Sequence, residues 1–106
     1  MTTLESLQGI NPYPIPLRTI GTVAERYGLP LSGEATPAVI GGAPFKRACA
    51  DLLRWLSMAP NITQGGQSYS FTDEQRRDLR NQADGLDAEA DDSAVRTRYG
   101  YKGSRL

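Results

Sequence analysis

The chain has 106 residues, with 12 basic and 12 acidic side chains and a formal net charge of zero. This length fits a single domain, and the balanced charge argues against a broadly basic nucleic-acid binder. The sequence contains no histidine and a single cysteine, which excludes Ser-His and Cys-His nucleophile pairs, histidine-bound metals, thiolate zinc sites and an internal disulfide. No apolar run approaches the roughly 20 residues that a membrane span needs.

Carboxylate, lysine or tyrosine chemistry remains possible for catalysis, but the sequence shows no focused group of such residues, and the carboxylate pairs have a structural explanation. Asp73 and Glu74 suit the positive end of a helix, and Asp91 and Asp92 fit a solvated helix face. The sequence therefore predicts no enzyme, no cofactor and no metal site.

The first part of the chain predicts two helices joined by an extended connector. A short helix is predicted at residues 1–9. The Asn-Pro-Tyr-Pro-Ile-Pro run at residues 11–16 predicts the connector, because a residue before proline is kept out of the helical region. A second helix is predicted from Pro16 to about Tyr27, where apolar residues recur at spacings of three and four. Gly28 suits the left-handed conformation that ends a helix.

The most amphipathic segment is the helix predicted at about Pro44 to Met58. Its apolar face comprises Phe45, Ala48, Cys49, Leu52, Trp55, Leu56 and Ala59. Because these residues share one broad face, we expect the helix to form the core of the protein. We expect Trp55 at the centre of that core and Cys49 buried there as a small hydrophobic residue.

A β-hairpin is predicted at about residues 61–71. Gly65 and Gly66 accept the positive φ angles of a two-residue turn, and the resulting register pairs Ile62 with Tyr69. An isolated two-stranded ribbon is marginal in water, so the hairpin needs a surface to pack on. The candidate subunit-contact residues here are Gly65, Gly66, Tyr69 and Phe71.

Thr72 and Gln75 form a capping-box pattern that begins a helix, which is predicted to run to about Ala90. Acidic residues crowd the end of this helix, against its dipole, so we expect that end to fray. The acidic segment 84–92 is also a candidate to meet the basic tail of another copy, since opposite charges in consecutive blocks suit head-to-tail association.

Residues 93–106 follow the single helical domain that we expect at residues 1–92. They carry basic and aromatic residues and no acidic ones, and nothing in them can build a core, which predicts a flexible tail. Three interpretations stay open: a solvated end, an arm that orders on a neighbouring subunit, or a nucleic-acid contact. The candidate contact residues are Arg96, Arg98, Tyr99, Tyr101, Lys102 and Arg105.

The spacing of Ala24 and Gly28 at a helix end also occurs in helix-turn-helix DNA readers. The prolines and glycines of residues 30–42 have low helix propensity, which disfavours the recognition helix that should follow. A small helix-turn-helix regulator from a mobile element is therefore the alternative function rather than the first.

Two parts of the sequence resemble a family of small prophage proteins from the structural module of tailed phages. One is the run at residues 11–16 with the helix that follows it. The other is residues 49–56 together with residues 59–76, whose most specific part is the Pro-Asn-x-x-x-Gly-Gly-x-Ser-Tyr-Ser-Phe loop. The similarity covers about residues 10–90 and brings no catalytic residues with it.

The resemblance implies a head–tail connector, or head-completion-like, protein that assembles as a homo-oligomeric ring between portal and tail. Its partners would be other copies of itself and the portal and tail proteins, in a virion assembled in the host cytoplasm. We expect neither a membrane nor a sequence-specific nucleic acid as a partner. The expected fold is mainly α, a compact bundle of three to four helices with a small hairpin or ordered loop at about 61–71 and a flexible basic C-terminal tail.

Overall fold

Five helices and one β-hairpin make up the fold. The computed structural model describes the backbone of residues 1–99 and the side chains of residues 1–92. In chain order the elements are α1 (Thr3–Gln8), α2 (Leu17–Arg26), α3 (Pro37–Ile40), α4 (Ala43–Met58), β1 (Ile62–Gln64), β2 (Gln67–Tyr69) and α5 (Asp73–Tyr99). The mainly helical class and the small antiparallel hairpin that the sequence predicts are confirmed.

Helix α4 lies at the centre of the fold, with α5 packed along it and α2 against another side. Leu52 and Leu56, one helical turn apart on α4, are completely buried. The small side chains of Ala83 and Ala90 on α5 are also completely buried, which lets the two helices approach closely. The core is therefore organised around the apolar face of α4, as its hydrophobic pattern predicts.

The expectation that Trp55 sits at the centre of the core is wrong. Its ring is only half-buried, on the flank of the apolar face of α4, whereas Leu52 and Leu56 are fully enclosed. Tyr13, by contrast, is buried, with 5% of its surface exposed, although the run at residues 11–16 predicts an extended connector. The connector therefore lies across the core and contributes a side chain to it.

The predicted end of the last helix at about Ala90 is also wrong, because α5 continues to Tyr99. Four acidic residues between positions 84 and 91 form ion pairs with cations of α4. The ion pairs are Arg47–Asp91 at 2.6 Å, Lys46–Glu89 at 3.5 Å, Arg54–Asp84 at 2.9 Å and Arg54–Asp87 at 2.6 Å. These pairs also show that α4 and α5 run antiparallel.

Asp51 on α4 joins that helix to the end of α2. Its carboxylate accepts hydrogen bonds from the Tyr27 hydroxyl at 2.8 Å and from the Arg26 guanidinium. Partial burial raises the pKa of Tyr27, and the hydrogen bond to the Asp51 carboxylate adds to this. Just beyond this contact Gly28 has a φ of 67°, which confirms it as the left-handed residue that ends the helix.

Candidate interaction surface

The hairpin has the predicted register, with Ile62 opposite Tyr69. Gly65 and Gly66 have φ angles of 61° and 79°, as a type I′ turn requires at both central positions. Residues 63–68, which lie between the first and last residues of the hairpin, are all exposed. The tip of the hairpin therefore extends into solvent rather than packing on the helices.

An aromatic cluster holds the base of the hairpin. We call Tyr13, Trp55, Tyr69 and Phe71 the aromatic anchor. The Tyr13 ring lies 5.8 Å from Trp55 and 6.1 Å from Tyr69 in edge-on contacts, and it stacks on Phe71 at 5.7 Å. The Tyr13 hydroxyl donates a hydrogen bond of 2.7 Å to the Pro60 carbonyl. The connector thus fixes both ends of the hairpin to α4.

Arg76 on α5 completes this attachment. Its guanidinium donates to the Ser57 and Ala59 carbonyls at 3.1 and 2.7 Å, where α4 leaves carbonyls without helical partners. It also donates to the Asn61 side-chain oxygen at 2.9 Å and lies 5.6 Å from the centre of the Phe71 ring. One side chain therefore links the end of α4, the base of the hairpin and α5.

Asn61 joins the two strands at the base of the hairpin. Its side-chain oxygen accepts a hydrogen bond of 3.1 Å from the Phe71 backbone N–H, across the base of the two strands. The roles of Asn61, Tyr13 and Arg76 are not predicted by the sequence. The proline residues flanking Tyr13 and the asparagine before β1 were the available signals, but neither identifies its distant partner.

The structure separates the predicted contact residues of the hairpin into two groups. Tyr69 and Phe71 belong to the aromatic anchor and are half-buried against their own chain. Gly65 and Gly66 lie at the exposed tip. Among these residues, the tip is therefore the part available to a neighbouring molecule.

The predicted contact residues of the tail fall beyond the side chains that the structure describes. The backbone at Arg96, Arg98 and Tyr99 belongs to α5. Tyr101, Lys102 and Arg105 lie outside the described residues. The three interpretations of the tail stay predictions.

The acidic segment 84–92 contacts its own chain. Four of its carboxylates pair with Lys46, Arg47 and Arg54 of α4. A basic tail from another copy would have to displace these pairs, so the segment is a poorer docking site than the sequence suggests.

The segment after α2 does not have the form of a helix-turn-helix unit. Residues 27–36 are not helical, and α3, which follows them, has four residues. Recognition helices that enter the major groove are longer and follow the turn at once. The DNA-binding alternative therefore gains no support from this region.

Cys49 is buried on α4 with 7% of its surface exposed, as the sequence predicts. Burial raises the pKa of its thiol to about 11, so the reactive thiolate is scarce at neutral pH. Within the described part of the chain, no group of three or more metal-ligating side chains occurs. No helix there is both long and apolar enough to cross a membrane.

Comparison with known proteins identifies no relative. No protein-family model, no curated protein and no solved structure matches this chain.

Proposed function

We propose that this chain is a non-enzymatic structural subunit of a tailed phage or prophage. It assembles with other copies of itself into a homo-oligomeric ring of the head–tail connector type. The ring joins the portal to the tail proteins, and it is built in the host cytoplasm and carried in the virion.

The observation that carries this proposal is the contrast between the base and the tip of the hairpin. The base is fixed by the aromatic anchor and by Arg76, whereas residues 63–68 are exposed. A two-stranded ribbon is marginal by itself, so this anchoring keeps an otherwise unstable element in one place. An exposed loop held by a rigid scaffold is the usual arrangement of a contact element.

The resemblance to small prophage proteins supports the phage assignment within this proposal. Its most specific part, residues 60–71, is the segment that forms the hairpin and half of the aromatic anchor. The carboxylates of α5 support a structural rather than a catalytic role, since several of them are used in ion pairs with α4.

Sedimentation of the purified chain over micromolar to millimolar concentrations tests the proposal. We expect the mass to rise from the 11.5 kDa of one chain towards a single larger multiple, because a ring closes at a fixed number of subunits. The same experiment with duplex DNA at low salt should give the same masses. A chain that stays monomeric throughout, or that binds the duplex with sequence preference and a steep salt dependence, would contradict it.

A further inference from the structure

The outer edges of the hairpin expose backbone groups at one residue on each strand. In a two-residue hairpin the closing pair, here Gln64 and Gln67, exchanges backbone hydrogen bonds, and hydrogen-bonded pairs alternate with non-bonded pairs. The next pair, Thr63 and Ser68, is therefore non-bonded within the hairpin. Its N–H and C=O groups point outward along the two edges.

The side chains agree with this assignment. The hydroxyl oxygens of Thr63 and Ser68 lie 3.5 Å apart, as expected for the closer spacing of a non-bonded pair. Among the described residues, no backbone hydrogen bond from outside the hairpin reaches either of them. Each edge therefore offers one free donor and one free acceptor to an incoming strand.

Both strands are short, with three residues each, but the edges lack the other features that prevent strand addition. Besides short strands, proteins protect exposed edges with charged side chains, proline, bulges or a covering element. The strands Ile62–Gln64 and Gln67–Tyr69 contain no charged residue and no proline, and their residues pair without a bulge. The exposure of residues 63–68 shows that no helix in the described part of the chain covers them.

We propose that strand β2 of one copy pairs with strand β1 of the next, with Ser68 opposite Thr63 of the neighbouring copy. This inference rests on the proposed self-assembly and names its contact. The strand order becomes β1-β2-β1-β2 from copy to copy, and every neighbouring pair is antiparallel. The contact is head-to-tail, so it repeats, and a closed ring leaves neither edge exposed.

The second copy is the occupant favoured by the chemistry of the edges. Both edges are uncharged, so two copies meet without like-charge repulsion. Every copy carries one β1 edge and one β2 edge, so the two strands that form the contact are present in equal number. A two-fold contact of Thr63 with its own equivalent would stop at a dimer and leave the Ser68 edge exposed.

Mixing two variants that each carry one added cysteine tests the pairing. Thr63→Cys and Ser68→Cys place thiols on opposite edges, and the buried native Cys49 stays outside the reaction. Under mild oxidation we expect several-fold more disulfide-linked dimer in the mixture than in either variant alone. Mixing Thr63→Cys with Gln82→Cys, an exposed position on α5, gives the background from random collision.

Each other outcome overturns the pairing. Abundant dimer in Thr63→Cys alone indicates the two-fold contact instead. Background cross-linking in a chain whose mass still rises with concentration means that another surface joins the copies, and the proposed function survives. Background cross-linking in a chain that stays monomeric means that both proposals fail.

A charge placed on one edge provides an independent check. Ser68→Lys should shift self-association to at least several-fold higher concentration, because the added cation protects the edge. Gln82→Lys adds the same charge at the exposed α5 position and should leave association unchanged. Equal melting temperatures of the two variants show that the fold is intact, and equal association of both would overturn the proposal.

Discussion

Replacing Leu52 by alanine should lower the free energy of unfolding by about 2–5 kcal/mol, the range for large-to-small changes at buried leucines. Leu52 is completely buried on α4, where both α2 and α5 pack. Removing its side chain therefore leaves a cavity that no single neighbour can fill. Chemical denaturation followed by far-ultraviolet circular dichroism measures the change.

Trp55→Ala is the matched comparison. The tryptophan side chain is larger, but it is half-buried and lies on the flank of the core. We therefore expect a smaller loss of stability than for Leu52→Ala. The opposite order, with Trp55→Ala the more damaging change, would mean that the centre of the core is misplaced.

Replacing Tyr13 by alanine should cost about 3–5 kcal/mol, as truncation of a buried aromatic residue does. The Tyr13 ring contacts all three other members of the aromatic anchor, so its loss should also release the hairpin from the helices. We expect the amide resonances of β1 and β2 to lose dispersion, while those of α4 keep theirs below the melting temperature.

Tyr13→Phe separates the ring from its hydroxyl. It keeps the aromatic contacts and removes only the hydrogen bond to the Pro60 carbonyl, which should cost about 0.5–1.5 kcal/mol. The hairpin should keep its dispersed resonances in this variant. A hairpin that stays ordered in Tyr13→Ala would contradict the role of the aromatic anchor.

The parts of the fold that sequence predicts best are those set by neighbouring residues. The Thr72 hydroxyl accepts from the Gln75 N–H at 3.1 Å, and the Gln75 side chain accepts from the Thr72 N–H at 2.8 Å, as the capping-box pattern predicts. The Gly65-Gly66 turn likewise follows from the residues in it. In both cases the interacting groups lie within a few residues of one another.

The parts that the sequence does not reveal depend on distant partners. Tyr13 is buried because it contacts Pro60 and Phe71, which lie far along the chain. The residues next to Tyr13 do not indicate these partners. The same holds for the second half of α5, where Asp91 gains its counterion from Arg47. Local charge predicts an unfavourable helix end, and the pairing with cations on α4 cannot be read from the local sequence.

Amide hydrogen exchange at Thr63 and Ser68, measured on the full chain at low and high concentration, reports whether copies join through the edges of the hairpin. In the separate chain both N–H groups face solvent, so we expect fast exchange when the protein is dilute. We expect slowed exchange at both residues when the protein is concentrated, because each N–H then bonds to the next copy. Equally fast exchange at both concentrations would contradict assembly through the edges of the hairpin.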